Sequence, residues 1–260
     1  MRKLSLLVCS LLLLSLAACG GGSSNGLPDL PADGGGGGGG GEAAPASTAS
    51  IMGKISFEGE VPKAEKLQTS ADPNCKKELM TETTKVKDGG LANVFIYVSG
   101  GDHTGKTYAP PSTAVELNQQ DCHYIPHAVV VQVGQKVSIK NSDMTLHNIH
   151  AYSEINEGFN VAQAVQGLVT DHVFDKKEII FPVKCEVHKW MQAFIAVVDN
   201  PWATISAEDG KYELKLPAGK FEITAIHEKY GKQTMMVEVK ENDHSTMDFK
   251  FKASDAKSGN

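Results

Sequence analysis

The chain is 260 residues long and lacks the spellings of two common metal chemistries. It has no His-Glu-x-x-His and no Cys-x-x-Cys-His, which removes the zincin proteases and covalent c-type haem. No hydrolase nucleophile elbow and no phosphate loop are expected either. Positive charge is scarce: the formal net charge is −6, and losing Arg2 and Lys3 takes it to −8. That balance argues against nucleic acid or an anionic lipid surface as partner, and suits a basic protein or one bound through an uncharged patch. Helical periodicity is missing past Ile51; only Asn160 to Thr170 could form a short helix, and Gly167 weakens it. From Gly20 to Ser50 apolar side chains are almost absent and Gly34 to Gly41 is an unbroken glycine run. Such a stretch has little to bury against a large backbone entropy and reads as a tether.

What is present begins at the N-terminus. Arg2 and Lys3 form a positive region, and Leu4 to Leu14 is an apolar run too short to span a bilayer. Leu16-Ala17-Ala18-Cys19-Gly20 then resembles the bacterial lipoprotein signal. The resemblance implies that residues 1–18 are removed and that Cys19 is lipidated as the mature N-terminus. Residues 19–50 would tether a globular head to a membrane. The alternative is an ordinary secretory peptide cleaved near the same place; both export the chain. The expected location is the cell envelope, periplasmic or surface-exposed, with Gly20 favouring the outer membrane in a Gram-negative cell.

The richest chemistry lies in Cys185-Glu186-Val187-His188-Lys189-Trp190-Met191, together with His147 upstream. These supply one thiolate, two imidazoles and one thioether. A trigonal His2Cys set with a weak axial Met is the donor set of a type 1, or blue, copper centre. Taken singly, the parts are ordinary. A lone Cys is most often a small buried hydrophobe, and a Met beside a Trp is usually core. A zinc site would need a second Cys/His pair at zinc spacing, which the chain does not offer. Apolar runs at 179–183 and 193–198 bracket the loop as two strands would. The expected cofactor is one copper, with His147, Cys185, His188 and Met191 as ligands. Of the five cysteines, Cys9 leaves with the leader, Cys19 takes lipid and Cys185 takes copper, so Cys75 and Cys122 remain as a pair. In an oxidising compartment a disulfide is their default. The alternative is that Cys122, in Cys122-His123-Tyr124-Ile125-Pro126-His127, joins a second metal site with its neighbouring histidines.

From about Thr113 to Asp199 the order of strands, Tyr124-x-Pro126, Gly134, Asn141, His147 and the ligand loop resembles the cupredoxin (blue copper) family. Its amicyanin-type members share the Cys-x2-His-x2-Met spacing and the His147-Asn148 pair, whereas plastocyanin's loop is longer before the Met. The resemblance implies a Greek-key β-sandwich or barrel in which Asn148 braces the loop by hydrogen bonding. It implies that His147 is buried and that His188 lies near solvent in an apolar rim where electrons enter and leave. Trp190 would form part of that rim or be buried packing, and Lys189 would add positive charge to the docking surface. Lys189 stands where the family usually has proline, and Trp190 where it has a smaller aromatic. His150 is expected to face away from His147 and cap a loop.

Strands of period two also flank this segment. Residues 51–112 and 200–252, with Asp209-Gly210-Lys211-Tyr212 and Leu216-Pro217-Ala218-Gly219-Lys220-Phe221, resemble carboxypeptidase regulatory-like (transthyretin-like) sandwiches. The fold class is therefore all-β. The economical organisation is a small sandwich split by an inserted copper domain at 113–199, with a polar tail at 253–260. The alternative is an N-terminal extension followed by a separate C-terminal sandwich. The expected function is a lipid-anchored carrier of single electrons between redox proteins such as a cytochrome or dehydrogenase. Its four protein ligands leave no open position for substrate, unlike a catalytic metal site. The alternatives are copper delivery, storage or sensing, a surface-binding lipoprotein, or an oxidase or reductase subunit with a second metal.

Overall fold

Where apolar and polar residues alternate, successive side chains fall on opposite faces of a strand, and one face can be buried. Tyr212, Leu214 and Leu216 point inward while Lys211, Glu213 and Lys215 stay exposed. The same logic runs through the computed structural model, which describes residues 41–256. The leader, Cys19 and nearly all of the glycine-rich stretch lie outside the described residues, as does the tail beyond Ala256. Among the described residues the only helical element is a short 3-10 turn, Ala253–Asp255, and the protein is all-β.

Before the middle segment, residues 113–199, come β1 (Ala49–Glu58), β2 (Val86–Lys87), β3 (Gly90–Leu91) and β4 (Phe95–Gly101). The segment itself holds β5 (Val115–Gln120), β6 (His123–Ile125), β7 (Ala128–Gln132), β8 (Lys136–Asn141) and β9 (His147–Ala151). It continues with β10 (Asn160–Gln163), β11 (Val169–Val173), β12 (Glu178–Lys184) and β13 (Gln192–Val198). After it come β14 (Ala203–Ile205), β15 (Lys211–Leu216), β16 (Gly219–His227), β17 (Gly231–Val239), β18 (His244–Thr246) and β19 (Phe249–Lys252).

The middle strands form two sheets of their own, ordered β10-β9-β12-β13-β7 and β11-β8-β5-β6. They enclose a core containing Leu117, Tyr124, Val131, Ile139, Phe174, Phe181 and Ile195. The flanking strands pair with one another across the interruption. β1 pairs with β15 and with β18 and β19, while β4 lies between β14 and β16. Their core contains Ile51, Ile55, Leu91, Ile96, Trp202, Phe221 and Phe251. A small cluster of Phe95, Ala128 and Ala196, with Phe194 and Ile226 against it, joins the two halves.

Three expectations need correction. The stretch read as tether is already ordered at its end: Glu42 bridges to Tyr108, and β1 starts at Ala49 with Ala49 and Ile51 in the core. Asn160 to Thr170 is not helical. It divides between β10, paired with β9, and β11, paired with β8, with Gly167 turning the chain at φ +85°. Gln163 explains the choice, because its buried amide donates to Ile139 O at 2.9 Å and Thr170 Oγ1 at 3.0 Å. Finally, Gly100–Thr107 does carry the letters of a phosphate loop, Gly-x4-Gly-Lys-Thr. No helix follows it, and its Thr104 and Lys106 amides are consumed in local turns to Gly101 O and His103 O, so no amide cradle is left for a phosphate. Gly22-Ser23-Ser24-Asn25-Gly26 likewise spells Gly-x-Ser-x-Gly but lies outside the described residues.

Candidate metal centre

Pairing between β9 and β12 brings His147 to the ligand loop. Lys184, the last residue of β12, lies opposite His150, so the chain leaving Lys184 turns over the start of β9. The loop closes on itself. Cys185 N donates to Met191 O at 3.2 Å, Met191 N donates to His188 O at 2.9 Å, and His188 N donates to Cys185 Sγ at 3.3 Å. Asn148 ties the two elements together: its Oδ1 accepts Glu186 N at 2.5 Å and its Nδ2 donates to Asn160 Oδ1 at 2.6 Å. Tyr124, fully buried, donates its hydroxyl to Asn148 O at 2.6 Å, and burial holds its phenol well above the usual range.

His147, Cys185 and His188 thereby converge, with donor atoms all within 4.8 Å of one another and all three residues buried. His147 Nδ1 lies 2.9 Å from His188 Nδ1, and Cys185 Sγ lies 3.9 Å from His188 Nδ1. Met191 is also buried, at the end of the same loop.

The far side of each ring shows which nitrogen carries the hydrogen. His147 Nε2 is 2.8 Å from Asp143 Oδ2, and His188 Nε2 is 3.0 Å from Asp72 Oδ2. An ionised carboxylate only accepts, so both Nε2 atoms donate and both Nδ1 lone pairs face inward. Two lone pairs and a sulfur brought together in this way could hold a metal ion. Metal–nitrogen bonds of about 2.0–2.1 Å and a metal–sulfur bond of about 2.3 Å place such donors roughly 3–4 Å apart. The His147–His188 and Cys185–His188 spacings, 2.9 and 3.9 Å, lie at about the two ends of that range. A carboxylate behind a ligating imidazole, fixing its tautomer and orientation, is the usual support of a histidine metal site.

Each carboxylate is itself held. Asp143 accepts the amides of Asp121 and Cys122 at 2.8 Å each, two successive residues with positive φ whose N–H groups cup the anion. Asp72 accepts Thr145 Oγ1 at 2.6 Å and Asn74 N at 2.7 Å. The Thr145 bond, the Asn74 amide and the His188 bond hold its carboxyl down to about 2, against the effect of burial. Burial pushes the His147 imidazole below its ordinary value, and Asp143 pulls it part of the way back.

Asp72 comes from far along the chain and is carried there by the Cys75–Cys122 disulfide, which is formed. This overturns the alternative in which Cys122 binds a second metal. It also explains why His188 is not near solvent: it is only 3% exposed, because the stapled segment covers its Nε2 edge with Asp72. Trp190 is half-buried packing. Its ring lies 5.0 Å from that of His188, and its Nε1 donates to Cys122 O at 3.0 Å. Lys189 is exposed and ion-pairs with Glu186, which also accepts from Tyr152 and from His150. His150 thus faces the loop's outer surface. Asp72 and Asp143 were not among the residues singled out from the sequence. Asp143 could have been suspected from its place four residues before His147 on the same loop; Asp72 had only its nearness to Cys75.

No protein-family model matches the chain, and no curated protein matches it by sequence. Among solved structures it is similar to the copper-containing nitrite reductase of Thermus scotoductus SA-01, at 18% identity and a TM-score of 0.32. That likeness covers 39% of this chain and 26% of the reductase, so the chain spans about a quarter of that protein. It is similar to a purple cupredoxin from Nitrosopumilus maritimus at 21% identity and a TM-score of 0.28, over 32% of this chain and 98% of that one. Amicyanin from Paracoccus versutus is 18% identical with a TM-score of 0.30, over 39% and 96%. The two sheets of the middle segment, with the Cys-x2-His-x2-Met loop between β12 and β13, make a two-sheet β-sandwich.

Proposed function

We propose that the protein carries single electrons through one copper that His147, Cys185 and His188 would hold, with Met191 as a fourth, weak donor. The observation that carries this reading is the inward convergence of one sulfur and two imidazole lone pairs, each ring locked from behind by a carboxylate. Copper bound by these residues would supply one-electron exchange between Cu(I) and Cu(II). The chain's part is to hold both states in nearly one arrangement. Cys185 is fixed by the hydrogen bond from His188 N, the loop by Asn148, and the rings by Asp72 and Asp143. A soft thiolate with two imidazoles suits both oxidation states. With four protein donors no position is left for substrate, which favours a carrier over an enzyme. The lipoprotein-like leader supports an envelope location with Cys19 as anchor, and redox proteins are the partners. The test is the visible spectrum of the copper-loaded, oxidised protein. An intense thiolate-to-copper band is expected, and Cys185→Ser should abolish it while leaving the melting temperature nearly unchanged. A colourless wild-type protein with a full copper complement would sink the carrier reading.

A further inference from the structure

β17 is the edge of its sheet, and it is nine residues long with no proline and no shift in its register with β16. Every other edge strand among the described residues has six residues or fewer. Proteins blunt an exposed edge by shortening, bulging or covering it, because its free amides and carbonyls pair readily with another chain. The geometry points to a second copy of this chain as that partner: two β17 strands pair antiparallel about a two-fold axis at Met235, making a homodimer. The contact lies in the flanking sandwich and is independent of the copper reading.

Which groups are free follows from β16. Lys220 O accepts Asp102 N at 2.9 Å, and Glu222 O accepts Ser99 Oγ at 3.3 Å. The even-numbered residues of β16 therefore turn their main-chain groups toward β4, and the odd-numbered ones turn theirs toward β17. The register pairs odd with odd, Phe221 with Val237 and Ile223 with Met235. The odd residues of β17 are thereby consumed, and Lys232, Thr234, Met236 and Glu238 point their amides and carbonyls outward. Among the described residues no other main chain takes these groups up. Their side chains share one exposed face, on which Thr234 Oγ1 lies 2.9 Å from Thr224 Oγ1 and Met236 is 66% exposed.

Charge selects the partner and the register. Main-chain pairing needs even residues opposite even residues, so the strands can slide only in steps of two. With the axis at Met235, Lys232 lies opposite the partner's Glu238, and Thr234 lies opposite the partner's Met236. Both ends of the ladder then join opposite charges directly across one face, which favours the pairing. With the axis at Met236, Lys232 would meet the partner's Lys240. With the axis at Thr234, Glu238 would meet the partner's Tyr230, beyond the end of the strand. The strand is complementary to itself in one register, as an isologous two-fold contact requires. Roughly eight main-chain hydrogen bonds would form, two for each of four residue pairs.

The test uses the full chain with Cys9→Ser and Cys19→Ser, so that neither of those thiols cross-links; Cys185 is buried and Cys75 is bonded to Cys122. Sedimentation from about 1 to 100 μM should show a monomer–dimer equilibrium. Lys232→Glu should weaken it about tenfold, and adding Glu238→Lys should restore it, because each pair is recreated with its signs exchanged. Met235→Cys reads the register. At a non-hydrogen-bonded pair the two Cα atoms lie about 4.5 Å apart, within disulfide reach, so mild oxidation should link two chains there. Met236→Cys, facing the partner's Thr234, should link far less. Melting temperatures near that of the parent chain check that each variant is folded. A monomer at every concentration overturns the proposal. So does a dimer indifferent to Lys232→Glu, or one that Met236→Cys links as readily as Met235→Cys, since either puts the contact on another surface.

Discussion

Removing the staple by the double substitution Cys75→Ala and Cys122→Ala tests how the centre is covered. The two residues are 47 apart in sequence, and in the chain-entropy model a closed loop of that length restricts the unfolded chain by about 4 kcal/mol. Typical domains are stable by only about 5–15 kcal/mol, so the loss is a large share of the whole. For a folded region of this size each kcal/mol moves the melting temperature by about 2–4 °C, which predicts a fall of roughly 8–16 °C. The assay is thermal unfolding of the copper-free protein, where no metal contributes, followed by hydrogen exchange. Amides around Asp72 and Asn74 should lose protection, because Asp72 would be left with the contacts from Thr145, Asn74 and His188 alone. Amides of β12 and β13 should keep theirs. A double variant melting within about 2 °C of wild type would show that the staple does not restrict the unfolded chain as this reasoning requires. Unchanged exchange at residues 72–75 would show that it does not hold the cover.

Asp72→Ala should weaken copper binding by about 10–100-fold in competition with a chelator, the usual effect of deleting a carboxylate behind a ligating imidazole. Glu178 accepts Glu154 N at 2.7 Å, Ser153 Oγ at 2.5 Å and Asn156 Nδ2 at 2.9 Å. Burial pushes its carboxyl up, but these bonds outweigh that and hold it below 4.5. Its stabilisation is therefore complete above the unfolded value and is lost as pH falls through the folded one. Melting curves of Glu178→Gln should show a flatter acid limb below pH 4.5, and an unchanged limb would refute this. If the exposed Lys189 lies on the docking surface, Lys189→Glu should slow electron transfer to an acidic partner more at low salt than at high salt; stopped-flow rates equal at every ionic strength would remove it from that surface.

The candidate centre was legible because its donors are chemically unusual together and mostly local. Cys185, His188 and Met191 share one loop, and His147 opens a strand that pairs beside it. The all-β class was legible because alternation survives in the longer strands, such as β15 and β16. Asn160–Thr170 was misread because strands of four and five residues are too short to display a period. Gln163, a polar residue fully buried by its amide bonds, also reads as surface in sequence. The cover over His188 was hidden by distance, since Asp72 is 116 residues from the ring it supports. Nothing local in Ala71-Asp72-Pro73-Asn74 announces that contact.

The disulfide has a chemical consequence beyond stiffness. Cys75 belongs to a donor cluster with Asp72 and His188, and Cys122 to one with Asp143 and His147, each within 4.8 Å. In a reduced chain the neighbourhood of the two imidazoles would therefore hold three thiols. Such a sulfur-rich nest prefers Cu(I) and zinc and would bind them in several competing ways. Oxidation withdraws two of those sulfurs and leaves Cys185 as the sole free cysteine among the described residues. On the copper reading proposed above, the order of maturation then matters: thiol oxidation ahead of metal entry would leave one defined set of donors, and the reverse order would leave metal competing for the two sulfurs of the staple.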